Sequence, residues 1–299
     1  MNQIAPIVLF VYNRPEHTVK TVDALTKNEI AAESHLYIFS DGPKSDQDEP
    51  KVGEVRKLIA SIKGFRKIHI IEREQNLGLA NSVITGIGEI LDLYQRVIVL
   101  EDDMISTQHF LSYMNNLLAF YQEDLRIFSV TGYTFPIKIP QHYKHKIYLS
   151  PRASSWGWGT WKDRWGRIDW ELSSFNAFIN DKAIVSKFNT GGGDLTKMLR
   201  NQKEGKIDSW SIIWSYEHFR NNAYCVYPVE SMIQNIGADL SGVHTSKTKK
   251  YEVFLNDSDK IAKPVKDLQP DEEIIANTRR FFKKNILNSV YNKLIKSLK

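Results

Sequence analysis

The chain has 299 residues, of which 42% are hydrophobic and 25% charged, and its formal net charge is +5. These fractions are typical of a globular protein and exclude disordered, collagen-like and disulfide-scaffold chains. Cys225 is the only cysteine, so it forms neither an internal disulfide nor a cysteine zinc cluster. The apolar run at residues 6–12 is too short to span a membrane, and no later run is long enough. We therefore expect a cytoplasmic protein.

The first part of the chain alternates short apolar runs with helix-length amphipathic patterns. We predict strands at residues 7–12, 36–40, 68–72, 96–101 and 127–131. We predict helices between them, at residues 16–27, 51–63, 79–93 and 108–121. Continuously apolar strands separated by helices indicate an α/β fold with a mainly parallel, Rossmann-like sheet covered on both faces. Ligands of such sheets bind beyond the carboxyl ends of the strands.

The rest of the chain is less regular. Two tryptophan clusters occur at residues 156–170 and 210–214, and a helix is predicted at 210–220. After a polar linker, apolar residues recur every four positions from Phe282 to Leu298, and no acid follows Glu273. This pattern predicts a basic amphipathic C-terminal helix, which either packs on the body or attaches to an anionic membrane surface.

The most informative motif is an apolar strand, residues 96–100, that runs directly into Glu101, Asp102 and Asp103. Three adjacent carboxylates repel one another and resist burial unless a cation compensates them. Mn²⁺ or Mg²⁺ suits this role, since either ion takes one or two protein carboxylates and completes its shell with phosphates and waters. The alternative is that the acids cap the following helix and interact with its dipole.

Several motifs resemble, in chain order, those of GT-A-fold glycosyltransferases. They are Asn13-Arg14, Ser40-Asp41, residues 76–80, residues 100–103, Gly157-Trp158 and Asp208-Ser209-Trp210. The pattern is most similar to inverting α-1,3-mannosyl-glycoprotein N-acetylglucosaminyltransferase and bacterial family-2-like enzymes, over about residues 5–245. The resemblance implies a nucleotide-sugar-binding half at residues 1–132 and an acceptor-binding half at 133–250. The linker and the basic helix at 251–299 are an addition to the family pattern.

The resemblance also implies roles at the donor site. Asp103 would bind the metal, Asp102 would contact the ribose, and Glu101 would lie near the donor sugar. Asp41 would accept a hydrogen bond from the imide N–H of uracil or thymine, which favours UDP or dTDP over a cytidine nucleotide. Three further residues match donor-binding positions: Asn13, Arg14 and Gly78. The alternative for Arg14 is a surface arginine placed by the turn before Pro15.

Asp208 matches the catalytic base of inverting enzymes, which takes the proton from the attacking acceptor hydroxyl. It would alternatively cap the helix predicted at residues 210–220. Lesser candidates for the base are Asp169, Asp194 and Glu217.

The glycine-punctuated segment at residues 154–165 supplies candidate acceptor contacts. We expect either Trp156 or Trp158 to stack on a sugar and the remaining rings to pack in the core. The segment at residues 235–244 resembles a loop that closes over the donor. His244 would meet the metal or the diphosphate there, or would be structural.

Two other functions compete with sugar transfer. A sugar-nucleotide pyrophosphorylase needs a glycine-rich basic loop after the first strand, where this chain has Asn13-Arg14-Pro15. A catalytically silent nucleotide-sugar-binding protein would keep the fold without turnover. A nucleic-acid partner is not expected, because the basic residues gather in the tail. The resemblance implies a bacterial enzyme of surface polysaccharide or lipid-linked glycan synthesis, which we expect to be cytoplasmic or peripheral at the inner face of the plasma membrane.

Overall fold

The structure is a computed structural model that describes residues 4–239, 248–255 and 262–283. Its strands are β1 Ile7–Val11, β2 His35–Ser40, β3 Lys67–Glu72, β4 Arg96–Glu101, β5 Met104–Ser106, β6 Ile127–Thr131, β7 Ile147–Ser150, β8 Trp158–Trp161, β9 Tyr224–Pro228 and β10 Ile233–Asn235. Its helices are α1 Pro15–Thr26, α2 Glu49–Ala60, α3 Leu79–Leu93, α4 Phe110–Phe120, α5 Lys162–Trp165, α6 Phe175–Asn180, α7 Lys182–Phe188, α8 Leu195–Lys203, α9 Trp210–Arg220 and α10 Glu272–Phe281.

An eight-stranded sheet runs through the molecule in the order β3-β2-β1-β4-β8-β6-β9-β7. β1 pairs in parallel with β2 and β4, β2 with β3, and β6 with β9. β8 is antiparallel to both of its neighbours, and β7 is an antiparallel edge strand. The predicted α/β fold with a mainly parallel sheet flanked by helices is confirmed. Strands from both proposed halves of the chain join this one sheet.

The two faces of the sheet bury separate hydrophobic cores. Alternate residues of a strand point to opposite faces, so Ile7 and Leu9 pack against α1, α2 and α4, whereas Val8 and Phe10 pack against α3 and α9. Fully burying one such side chain stabilises the fold by about 1.5–3 kcal/mol. The core therefore fixes the register in which the strands reach the edge where their polar ends meet.

A third hydrophobic cluster joins α6, α7, α8 and α9 beside the sheet. α10 begins after Asp271, whose carboxylate accepts a hydrogen bond from the Ile274 N–H at 2.9 Å. The helix ends where Arg152 lies over the Phe282 ring, 3.6 Å from its centroid. Residues 284–299, which hold most of the predicted basic helix, lie outside the described residues. Among the residues that are described, no helix is long and apolar enough to cross a membrane.

Candidate active site

The acidic residues lie where β4 ends. Because β4 is parallel to β1, its carboxyl end lies beside the end of β1 and the start of α1. The chain turns through Asp102 and Asp103 into β5, and these two residues are only 3% and 5% exposed. The Thr21 hydroxyl of α1 fixes the turn, donating to the Asp102 carbonyl at 2.7 Å and accepting from the Met104 N–H at 3.0 Å. The acids do not cap a helix, since α4 begins only at Phe110.

Arg14 supplies the positive charge beside these acids. Its Nη2 lies 2.9 Å from Asp103 Oδ2, and its Nε lies 3.4 Å from Asp102 Oδ2. Nη2 also donates to Asp102 Oδ1, so one guanidinium bridges both carboxylates. Burial lowers the pKa of Arg14, but the charges of the two acids outweigh it and hold that pKa above its usual range. Arg14 is therefore a permanent cation inside the acidic cluster.

The same buried environment raises the pKa values of two of the acids, Glu101 and Asp102. Burial raises the pKa of Glu101 to about 8, and the charges of Asp103 and Asp102 act in the same direction. Burial raises the pKa of Asp102 to about 6, against the opposing effect of Arg14. The cluster thus carries more carboxylate groups than one arginine can neutralise.

A second segment packs directly on Asp103. β10 pairs with β5, and at its end the Asn235 amide donates to Asp103 Oδ1 at 3.2 Å. The Asn235 side-chain oxygen Oδ1 accepts from the Gly237 N–H at 2.9 Å, and the Ile236 N–H donates to the Asp103 backbone carbonyl at 2.9 Å. A Cβ atom on Gly237 would lie 2.0 Å from Asp103 Oδ2, so only glycine permits this contact. The sequence predicts a loop at residues 235–244, but it does not predict these contacts with Asp103.

Asp41, Gly78 and Asp208 come together at the same edge of the sheet. Asp41 is buried, and its carboxylate accepts from the N–H groups of Leu77 and Gly78, each at 3.0 Å. Gly78 has φ +76°, a conformation that favours glycine. Asp208 Oδ2 lies 3.9 Å from the position of a Cβ on Gly78. Asp208 is exposed and makes no capping hydrogen bond to α9, whose N-cap is Ser209. Its carboxylate is therefore available at the sheet edge.

Asn235, whose amide contacts Asp103, lines a cavity of about 840 Å³, whereas Asp102, Asp103 and Arg14 are not among the residues that line it. Trp156 and Tyr251 line it, with their ring centroids 5.6 Å apart. Trp158, the other ring considered for the acceptor, is fully buried and stacks on Trp210 at 5.1 Å. The reason is the position of Trp158 in β8, whose pleat directs it into the core beneath α9. The structure thus places Trp156, and not Trp158, at the cavity.

Asn13 lies at this same edge of the sheet, whereas the other candidates for the base lie elsewhere. The Asn13 amide donates to Asp48 Oδ1 at 2.9 Å and ties two loops of the sheet edge together. Asp194 pairs with Arg152 at 2.8 Å, and Glu217 and Asp169 both lie within ion-pair distance of Arg220. These three acids are engaged in ion pairs. His244 lies outside the described residues.

The acidic residues fit a divalent cation chemically. In the described part of the chain, no three His, Cys, Asp or Glu side chains are grouped to hold an ion. Mg²⁺ or Mn²⁺ does not require three, since one or two carboxylates suffice when phosphates and waters complete the shell. Asp102 and Asp103 together carry two carboxylates against the single charge of Arg14. One carboxylate charge is therefore left for a cation.

No protein-family model and no curated protein matches the chain. Among solved structures, S. aureus TarS 1-349 is 9% identical, with 76% of this chain and 59% of that chain covered and a TM-score of 0.39. A mannosyltransferase from Pyrobaculum calidifontis, in complex with GDP-Man and Mn²⁺, is 10% identical, with 71% and 69% covered and a TM-score of 0.38. UDP-glucose pyrophosphorylase is 12% identical, with 77% and 91% covered and a TM-score of 0.36. The chain spans 36% of a second TarS structure. Similarity at this level carries no inference about activity.

Proposed function

We propose that this protein is a GT-A-type glycosyltransferase that moves a sugar from a nucleoside diphosphate to a hydroxyl of a glycan or a lipid-linked acceptor. One observation carries the proposal. The buried carboxylates of Asp102 and Asp103, bridged by Arg14, lie at the carboxyl ends of the parallel strands β1 and β4, and Asn235, which contacts Asp103, lines a cavity of about 840 Å³. This is where α/β sheets bind their ligands, and the volume is that of a small-molecule site.

The donor would bind to the half of the chain at residues 1–132. Asp103 would hold Mn²⁺ or Mg²⁺, Asp102 would contact the ribose, and Glu101 would face the donor sugar. Four more residues would lie along the nucleotide: Asn13, Arg14, Asp41 and Gly78. The hydrogen bonds from the loop before α3 to Asp41 support a pyrimidine-binding corner there. UDP or dTDP is the favoured donor nucleotide, because each base presents an imide N–H to a carboxylate.

In the reaction we propose, the acceptor oxygen bonds to the anomeric carbon as the bond from that carbon to the diphosphate oxygen breaks. The acceptor proton passes to Asp208, and the anomeric configuration is inverted. A bound divalent cation would act as a Lewis acid that stabilises the leaving diphosphate. Arg14 would add its charge to the same stabilisation. The exposed Asp208 carboxylate beside Gly78 supports this assignment, since a base must reach the acceptor side.

The acceptor would bind in the half at residues 133–250. Trp156, which lines the cavity, would stack on the apolar face of a sugar. The basic tail within residues 251–299 would attach the protein to an anionic membrane surface, where lipid-linked acceptors reside. His244 would complete the metal or diphosphate contacts. This set of partners suits a bacterial cytoplasmic or peripheral enzyme of surface polysaccharide synthesis.

The test is a transfer assay with a panel of nucleotide sugars, Mn²⁺ and lipid-linked or oligosaccharide acceptors. We expect release of UDP or dTDP and a product of inverted anomeric configuration by NMR. Asp208→Asn should lower the rate by about 10²–10⁴-fold, the usual size of a general-base effect, with donor affinity unchanged. Formation of a nucleoside triphosphate from pyrophosphate and the nucleotide sugar would instead identify a pyrophosphorylase.

A further inference from the structure

Arg14 places a positive charge directly against the acidic residues Asp102 and Asp103. The guanidinium of Arg14 contacts Asp103 Oδ2 at 2.9 Å and both carboxylate oxygens of Asp102. The Arg14 side chain is only 16% exposed, so water screens these contacts little. Arg14 therefore supplies the positive charge that compensates these two buried carboxylates.

The other contacts of Asp103 leave it little freedom to turn away from this arginine. Its Oδ1 accepts from the Asn235 amide at 3.2 Å, and its backbone carbonyl accepts from the Ile236 N–H at 2.9 Å. Gly237 packs so closely that a Cβ there would overlap Asp103 Oδ2. A divalent cation that approaches Oδ2 thus meets the oxygen that Arg14 holds, and the two cations repel each other.

We infer that Arg14 is an exchangeable counterion, which holds Asp102 and Asp103 before the donor arrives and gives Asp103 up when the metal enters with a nucleoside diphosphate. This inference rests on the proposed function. The diphosphate brings the negative charge that a displaced guanidinium needs, and guanidinium and phosphate groups pair through two parallel hydrogen bonds. Arg14 would change partners without leaving a buried charge unpaired at any stage.

Two consequences follow from linkage. The metal alone binds weakly, because it must displace Arg14 without a new partner for the arginine. The nucleotide raises the metal affinity, and the metal raises the nucleotide affinity by the same factor. Arg14 thus sets how strongly the two ligands depend on each other, which is a role beyond contact with the nucleotide.

The experiment is a calorimetric titration of Mn²⁺ into the full chain, with and without saturating UDP or dTDP. The variants are Arg14→Gln, Arg14→Lys and the control Arg126→Gln. Arg126 also pairs with an aspartate, Asp124 at 2.7 Å, but precedes β6 and so lies at the opposite edge of the sheet. We expect Arg14→Gln to bind Mn²⁺ alone about tenfold more tightly than the wild type, within the usual range of coupling between sites.

The same variant should bind the nucleotide more weakly, and the factor by which nucleotide raises metal affinity should fall toward one. Arg126→Gln should leave both affinities unchanged. An Mn²⁺ affinity that is unchanged or lower in Arg14→Gln would overturn the inference, even if nucleotide binding is lost. If the wild type binds no nucleotide with Mn²⁺, it is the proposed function that fails.

Arg14→Lys covers the case in which the glutamine variant does not fold, as circular dichroism would reveal. Lysine keeps the charge but is a point donor that cannot bridge two carboxylates through a planar fork. The Arg14→Lys variant should bind Mn²⁺ alone more tightly than the wild type does, but the increase should be smaller than in Arg14→Gln. No rise in a folded Arg14→Lys protein would contradict the exchange.

Discussion

Gly237 offers the sharpest test of the contact between β10 and the acidic residues. In Gly237→Ala, the new Cβ would lie 2.0 Å from Asp103 Oδ2, 2.9 Å from Asp103 Cγ and 3.1 Å from Arg14 Nη1. Cβ contacts shorter than 3.0 Å essentially do not occur in proteins, so either the carboxylate or the segment after β10 must move. Overpacking of this kind costs about 1–3 kcal/mol of folding free energy.

The displacement should also impair ligand binding. Asp103 is held by the Asn235 amide and by Arg14, and a shift of its carboxylate disturbs both contacts. Changes to residues that orient a metal ligand typically lower metal affinity by about 10–100-fold. We expect Gly237→Ala to lose affinity for Mn²⁺ with UDP or dTDP by a factor in this range.

The assays are urea unfolding and calorimetry on Gly237→Ala and on the control Gly193→Ala. A Cβ on Gly193 would have no atom within 4 Å, so this variant should match the wild type in both assays. Wild-type stability and affinity in Gly237→Ala would refute the reasoning, because they would mean that Gly237 does not touch Asp103 in solution.

Three further predictions concern the pyrimidine corner, a buried histidine and the two tryptophans. Asp41→Asn replaces one of two acceptor oxygens with an amide donor that faces backbone N–H groups, and should cost about 1–3 kcal/mol in urea unfolding and weaken nucleotide binding. The exposed Asp46→Asn is its control. Burial lowers the pKa of His218 to about 4, so the fold holds the neutral ring, and stability is lost as the pH falls from about 6.5 toward 4. Between pH 7 and pH 5, the free energy of unfolding measured in urea should fall by about 2 kcal/mol less in His218→Gln than in the wild type. Equal losses in the two proteins would contradict this. Trp158→Ala should cost about 3–5 kcal/mol of stability. Trp156→Ala should lower the stability far less and should instead raise the KM for the acceptor. A large loss of stability in Trp156→Ala with a raised KM in Trp158→Ala would contradict this assignment.

The first half of the fold follows from the sequence because its signals are local. Apolar runs and the spacing between them place β1 to β4 and α1 to α4 within a few residues. The position of Asp102 and Asp103 at the end of a strand is predicted as well, because they directly follow the apolar run of β4. In these segments, residues that are close in the sequence are enough to predict where each strand and helix lies.

Helix α9 is also predicted at its observed bounds, residues 210–220, but most of the second half could not be predicted in this way. The segment that forms β8 inserts between β4 and β6, a pairing of residues far apart in the chain. Tryptophan is common both in hydrophobic cores and at sugar-binding sites, so residue type alone does not show whether Trp156 or Trp158 faces the cavity. The Asn235 contact with Asp103 spans 132 positions and depends on the pairing of two short strands. Only the three-dimensional structure reveals such contacts.

Calorimetric titration of UDP, dTDP, GDP and CDP in the presence of Mn²⁺ tests the central claim most directly. It should be repeated with EDTA and with Asp103→Ala, whose folding is checked by circular dichroism. We predict metal-dependent binding of UDP or dTDP that disappears with EDTA and in the variant. If no nucleotide binds to the folded wild-type protein under any of these conditions, the acidic residues are structural and the glycosyltransferase proposal is wrong.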